Sequence, residues 1–340
     1  MGKYIVKRLL YMLLVLLILS FLVFLVYNLL PVDKASDMAM QEIAGNKHLN
    51  YAERYLYWQR KYGLDGNLGL RYLRWVGFAP FYDGAFNGLI QGNLGTSVTY
   101  GKPVAEIIAT PLGNTAVLNL VSTVLAFAIT IPLGVFCARK QGSVRDGLTQ
   151  AGTIIGYSMP TFVIAILFIW LFAVKWNIFP VSGMSSVGKE YTGIRAVLDT
   201  AYHFALPILV TTFCSLGAMT RYVRASMLDA LKMDCIRTAR AKGLKENAIV
   251  REHAFRNALI PVLSVAIGWL VGIFSGSIMI ENIFGINGIG KVYYDALIAN
   301  DNEIALAMQM FYIVLALLGN LLADIAYGLA DPRIRVGGAK

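Results

Sequence analysis

The sequence predicts an all-α polytopic membrane protein. Six transmembrane helices are expected, with both termini cytoplasmic and an extracytoplasmic segment of roughly 75 residues between helices 1 and 2. Three observations carry this. Of 340 residues, 57% are hydrophobic and 15% charged, against roughly 45–50% and a quarter in soluble domains. Charge is missing over whole stretches rather than thinned evenly. The remaining Lys and Arg collect in alternate short connections. Disorder, a collagen-like chain and an ordinary cytosolic enzyme are excluded.

A helix needs about 20 apolar residues to cross a hydrocarbon layer of about 30 Å. Six stretches without Asp, Glu, Lys or Arg meet that length: Leu9–Val32, Ile107–Ala138, Gly147–Val174, Thr200–Thr220, Asn257–Ile280 and Ile304–Ala323. The first is too long for a signal-peptide apolar region, and no small-x-small cleavage pattern follows it, so it is expected to remain as a signal anchor. Pro132, Pro160 and Pro207 lie inside spans, which membrane helices tolerate when neighbours satisfy the freed carbonyls. The expected divisions are residues 1–32 (first helix), 33–106 (outer segment), 107–330 (five further helices, with a cytoplasmic loop at 221–257) and 331–340 (cytoplasmic tail).

Orientation follows the positive charge. The N-terminus (Lys3, Lys7, Arg8), the connection after span two (Arg139, Lys140, Arg145), the loop Arg221–Arg256 and the tail hold 18 of the 30 Lys and Arg residues. The connections Lys175–Asp199 and Asn282–Glu303 hold four. The first group belongs in the cytoplasm. The outer segment balances eight basic against seven acidic residues, and in Tyr51–Tyr62 and Arg71–Phe78 it interleaves aromatics with cations. That composition suits helices lying at headgroup level, where Tyr and Trp keep one end wet.

The net charge of +10 does not form one nucleic-acid face, because its residues follow topology. Inside the spans the one ionisable side chain is His203, near a boundary. Ion-coupled transporters, pumps and voltage sensors depend on buried charge, and none is expected here. His48, His203 and His253 are isolated, and Cys137, Cys214 and Cys235 lie far apart, so neither a metal site nor a disulfide framework is expected. Gly285–Lys291 (GINGIGK) has the spacing of a phosphate-binding loop. Val292 stands where Ser or Thr would hold magnesium, and no strand precedes it. Glycines at a tight re-entrant turn are the expected explanation.

The cytoplasmic loop is the most informative segment. Asp234–Ala258 (DCIRTARAKGLKENAIVREHAFRNA) reads as two short helices about Gly243, which either ends a helix left-handedly or admits a partner's backbone. Ala239 and Gly243, four apart, are expected on one helical face with room for that partner.

This loop resembles the coupling loop of type I ATP-binding-cassette importer permeases. It is most similar to the dipeptide/oligopeptide (peptide/nickel) branch, first-permease (B-type) subunit. The residues carrying the likeness are Ile236–Leu244, His253–Ala258 and Pro261. It continues, in family order, through Gly92–Ser97 with Pro103 and Val104, Gly156–Phe162, Phe179–Gly183, Arg221–Leu228, Glu281–Gly290 and Asp331–Arg335. Arg237 and Thr238 stand where the general importer motif has Glu and Ala, a form common in the peptide branch. Asn93 replaces a usual Asp and Cys235 a usual Tyr, and Phe78–Ile90 is an unusual insertion.

The resemblance implies a non-enzymatic permease subunit of the cytoplasmic membrane, forming half of a pathway for di- or oligopeptides. The implied partners are a second homologous permease (a heterodimer), two ABC ATPase subunits, an extracytoplasmic substrate-binding protein and the lipid membrane, with no nucleic acid. ATP and magnesium would belong to the ATPases, and no cofactor to this chain. Ile236, Arg237, Thr238, Ala239, Arg240, Ala241, Lys242, Gly243 and Leu244 would form the ATPase-coupling element. Ser158, Met159, Pro160, Met279 and Glu281 are candidate pathway or gate residues. The same machine carrying nickel, haem or an oligosaccharide is the alternative reading, and a stand-alone membrane channel or enzyme a more distant one.

Overall fold

The computed structural model describes residues 2–30, 33–46 and 48–330. The Asp331–Arg335 motif and the tail lie outside them. The described residues form helices without a β-strand: α1 (Gly2–Leu29), α2 (Lys34–Gly45), α3 (Tyr51–Lys61), α4 (Leu68–Val76), α5 (Val104–Arg139), α6 (Val144–Ser158), α7 (Thr161–Phe168, extended by a π-helical stretch Ile169–Lys175), α8 (Ile194–Leu231), α9 (Asp234–Ala241), α10 (Glu246–Ala248, followed by a π-helical stretch Ile249–Ala254), α11 (Phe255–Gly272), α12 (Ile278–Ile283), α13 (Ile289–Ile298) and α14 (Asn302–Ala330). Four helices are long and apolar enough to cross a membrane, or up to six if two bent pairs each count as one span. Two compact units result, one from residues 112–291 and 318–330, the other from 2–111 and 292–317.

The second unit carries the predicted short helices. Asp33, Asn50 and Asn67 cap α2, α3 and α4 by accepting amide hydrogens that no helical carbonyl can reach. Gly77 ends α4 at φ +102°, a conformation that glycine adopts without strain. α2 and α3 close on Ala35, Ala39 and Trp58, with Glu42 taking hydrogen bonds from both Arg54 and the Trp58 indole. The Arg54 hydrogen bond, its largest influence, holds the Glu42 carboxyl below its usual range. α4 lies along α1, where Tyr72 and Trp75 pack on Phe24 and the Tyr72 hydroxyl meets Ser20 at 2.7 Å.

In the first unit two apolar runs read as single spans are not single helices. Gly147–Val174 folds as α6 and α7, bent by 104°. Pro160 has no N–H to continue α6, and it drives Met159 to an extended φ −79°, ψ 137°. Asn257–Ile280 also breaks. α11 stops at Gly272, and Asn119 donates to the Ile273 and Ser275 carbonyls at 3.0 and 2.9 Å, satisfying groups the broken helix leaves open. Other helices exceed their apolar runs. α8 has 38 residues, about 57 Å at 1.5 Å per residue, nearly twice the hydrocarbon thickness.

α6 and α8 approach closely because Gly217 has no side chain: a Cβ there would come within 2.4 Å of the Thr153 carbonyl oxygen. The same pair is tied by Arg224, whose Nε and Nη2 donate to the two Asp146 oxygens at 2.9 and 2.7 Å. Asp146 is buried and also accepts the Gly142 amide. Breaking a buried, hydrogen-bonded pair strands one charge, whereas the solvent-facing Arg240–Glu246 pair is screened. Asp146→Ala is expected to destabilise the fold by about 3–5 kcal/mol, and Arg240→Ala to leave it nearly unchanged. Thermal unfolding of the two variants in detergent checks the difference.

Candidate functional site

The predicted coupling element is α9 and the turn after it. Ile236 and Ala239, three apart and therefore on one face, are buried against Met227, Ala230, Ile249, Val250 and Ala254. The helix ends by a Schellman arrangement: Gly243 N–H donates to the Arg240 carbonyl at 2.9 Å and Leu244 N–H to the Ala239 carbonyl at 3.3 Å, with Gly243 at φ +77°. Arg139 Nη2 reaches Asn247 Oδ1 at 2.6 Å, fastening the end of α5 to the loop.

The expected shared face of Ala239 and Gly243 is corrected by this geometry. α9 ends at Ala241, Ala239 is turned into the chain's own core, and a Cβ on Gly243 would meet nothing within 4 Å. Gly243 is there to stop the helix. What remains outward is a ridge of Arg237, Thr238, Arg240, Ala241, Lys242 and Leu244, all exposed. Leu244, 44% exposed, is its apolar point.

Of the candidate pathway residues, Ser158 and Pro160 are exposed at the α6–α7 break, and Met159 is half-buried. Met159 packs against a core that includes Ile280 of α12, and Met279 on the same helix is exposed. Glu281 is different: it has no exposed surface. Its Oε1 accepts from the Thr115 hydroxyl at 2.9 Å and the Ser277 amide at 3.2 Å, and its Oε2 accepts the Lys291 amide at 2.8 Å. Thr115 Oγ1 in turn accepts the Ile289 amide at 3.0 Å.

This explains the phosphate-loop spacing of Gly285–Lys291. The turn closes on the chain's own Glu281 side chain, directly through the Lys291 amide and, by way of the Thr115 hydroxyl, through the Ile289 amide. Gly288 is required at the approach, since a Cβ there would lie 2.3 Å from the Glu281 carboxyl carbon. The cradle is full, so nucleotide has no place in it. Glu281 presents nothing to a pathway and holds the turn instead. Thr115 and Ser277 escaped sequence reasoning because one lies 166 residues from Glu281 and the other, four residues away, looks like any helix cap.

Among the described residues no group of three His, Cys, Asp or Glu could hold a metal ion. His203 is buried with Nδ1 3.1 Å from the Gly183 carbonyl oxygen, a satisfied core histidine. The cysteines are free: Cys137 buried, Cys214 half-buried and Cys235 exposed.

Removing the cradled carboxylate leaves several buried donors without acceptors. Glu281→Ala is expected to cost about 2–4 kcal/mol of stability. Lys291→Ala keeps the backbone amide that does the holding, and nucleotide affinity of the assembled complex should not change. Thermal unfolding checks the first, and a fluorescent-nucleotide titration the second.

Residues 130–336 match the family described as "Binding-protein-dependent transport system inner membrane component". The chain is 38% identical over 275 residues to the oligopeptide transport system permease protein AppB of Bacillus subtilis (strain 168), covering 81% of this chain and 83% of that one. It is 33% identical over 311 residues to the dipeptide transport system permease protein DppB of Escherichia coli (strain K12), covering 86% and 88%. The MetNI methionine ABC transporter, solved in inward-facing conformations, is similar over 65% of this chain and 96% of that chain, with a TM-score of 0.45 and 19% identity. A family match over more than half of its length, with relatives above 30% identity over four-fifths of it, makes this chain a member of the binding-protein-dependent transport system inner membrane components, a multi-pass protein of the cell membrane.

Proposed function

We propose that the chain is a permease subunit of an ATP-binding-cassette importer that carries di- or oligopeptides across the cytoplasmic membrane. The observation that carries this is its 38% identity to an oligopeptide permease over four-fifths of the chain. The coupling-loop geometry supports it: an inner face fixed in the core and an outer ridge left free. A second homologous permease completes the pathway, an extracytoplasmic binding protein delivers peptide, and two ATPase subunits supply ATP hydrolysis with magnesium. This chain binds no nucleotide. Relatives named as dipeptide and oligopeptide permeases favour peptide over nickel, haem or oligosaccharide.

In this reading the chain crosses the membrane six times, counting the bent α6–α7 pair and the bent stretch Glu246–Gly272 as one span each. Both termini and the α8–α11 loop are cytoplasmic, and residues 33–106 lie outside. Single cysteines at positions 140 and 245 should then be closed to an impermeant thiol reagent in intact cells, and cysteines at 62 and 189 open to it. Cys137, Cys214 and Cys235 are replaced first. Labelling at position 245 from outside would overturn the topology.

The ridge on α9 receives the ATPase. Burying the remaining surface of this half-exposed leucine contributes about 0.7–1.4 kcal/mol, so Leu244→Asp should lower coupling about three- to tenfold if the whole cost falls on the docked state. Joint neutralisation of Lys242 and Lys245 removes solvated charge but no apolar contact, and should matter less. The assay is peptide-stimulated ATP hydrolysis and peptide uptake in proteoliposomes. Normal coupling in Leu244→Asp, with failure of the neutralised pair, would reassign the loop to lipid contact.

A further inference from the structure

The unit built from residues 2–111 and 292–317 contains a cavity of about 1240 Å³, walled in part by Phe24, Tyr27, Asn28, Tyr55, Arg71 and Trp75. Most cations on its wall are engaged. Lys34 pairs with Glu303 at 2.7 Å, Arg74 pairs with Asp65 at 2.8 Å, Arg60 lies over the Tyr82 ring at 5.4 Å, and Lys61 lies over the Trp58 ring at 4.3 Å. Arg71 is not matched in this way. Its Nη2 donates to the neutral Asn28 Oδ1, and its Nε is buried without a hydrogen-bond partner among the described residues. Asn28 is itself oriented, donating Nδ2 to the Phe24 carbonyl at 2.8 Å. Of the acids at the wall, Asp33 is committed to the Tyr55 hydroxyl at 2.8 Å and to the first amides of α2. Among the described residues the guanidinium is held in place by a neutral amide and meets no carboxylate, so its charge has no counterion there.

Depth identifies the acceptor. From Arg8, the last cation of the N-terminal basic group, to Asn28 is about 30 Å of helix at 1.5 Å per residue, one hydrocarbon thickness. Arg71 therefore sits at headgroup level, among Tyr27, Tyr72 and Trp75, the aromatic types that gather there. Below Asn28, Phe21, Leu17 and Leu14 recur at helical spacing on the same face of α1 and are exposed. An anion there is followed by apolar surface suited to acyl chains. A guanidinium edge suits phosphate oxygens.

We propose that Arg71, positioned by Asn28, binds the phosphate of an anionic phospholipid in the leaflet on the α2–α4 side of the membrane. The lipid's chains lie along Phe21, Leu17 and Leu14.

The test uses the full chain purified in mild detergent with its copurifying subunits. It is titrated with short-chain phosphatidylglycerol, short-chain phosphatidylcholine or inorganic phosphate while the thermal midpoint is followed. Wild type should be stabilised at the lowest concentration by phosphatidylglycerol. Arg71→Gln should need about tenfold more, the loss of one charge-assisted hydrogen bond, and Arg71→Lys should fall between. An unchanged response in Arg71→Gln overturns the proposal. Phosphate as potent as phosphatidylglycerol would make this a soluble-anion site and overturn the lipid assignment. A variant that sheds a subunit with lipid response intact would make the cavity an interface, which overturns it too. Should Arg71→Gln not fold, native mass spectrometry of wild type decides: retained phosphatidylglycerol supports the proposal, and none retained overturns it.

Discussion

In a hydrocarbon layer a backbone amide or carbonyl has no water to turn to, so each must find its partner within the protein. That constraint is visible where the helices of the first unit break on either side of α12. Where a helix runs on, as in α5 and α8, the ladder satisfies itself except at the carbonyls left without a donor by prolines such as Pro132 and Pro207. Where it breaks, a side chain stands at the break: Asn119 on the Ile273 and Ser275 carbonyls, Glu281 on the Ser277 and Lys291 amides. The glycines near these breaks let backbone and carboxylate come close enough. A Cβ on Gly276 would lie 2.2 Å from the Gly290 nitrogen.

Glu281 shows how one local pattern can serve opposite ends. A glycine-rich turn with converging amides is a general device for holding an anion. In a nucleotide-binding protein the anion comes from outside. Here it comes from nine residues before the turn's third glycine and 166 after Thr115. The same backbone chemistry that would bind phosphate gives an internal lock, and the exchange removes the site from solvent.

Much of this was legible in sequence because bilayer physics writes plainly. Runs of uncharged residues marked α1, α5 and α14, while Gly243 read equally as a helix end or as room for a partner. The breaks were less legible. Pro160 was visible, but a proline inside an apolar run reads equally as a tolerated kink, and what separates the two is whether Met159 stays helical. The Asp146–Arg224 pair was invisible, since its members are 78 residues apart and each alone looks like a topology-setting charge. The Ala239–Gly243 spacing misled for a related reason. A four-residue interval implies a shared face only while the helix continues, and α9 stops between them.

The proposed transport cycle needs a stiff path from the cytoplasmic ridge to the membrane, and α8 supplies one. It runs without interruption for 38 residues and reaches α9 through only Lys232 and Met233. The inner face of α9 is fixed by Ile236 and Ala239 in the same apolar cluster as Met219, Val223 and Met227 of α8, so a force on the ridge cannot be absorbed by hinging at that turn. Arg224 sits along this path and grips Asp146 bidentately, so a displacement of α8 would be carried to the first turn of α6. α6 ends at the Pro160 break, where the chain turns by 104° and where Ser158 and Pro160 are exposed. Packed interiors shift between discrete arrangements rather than flexing continuously. A rigid swing of α9, α8 and α6 would therefore be felt chiefly at that break, one helix length from where it was applied.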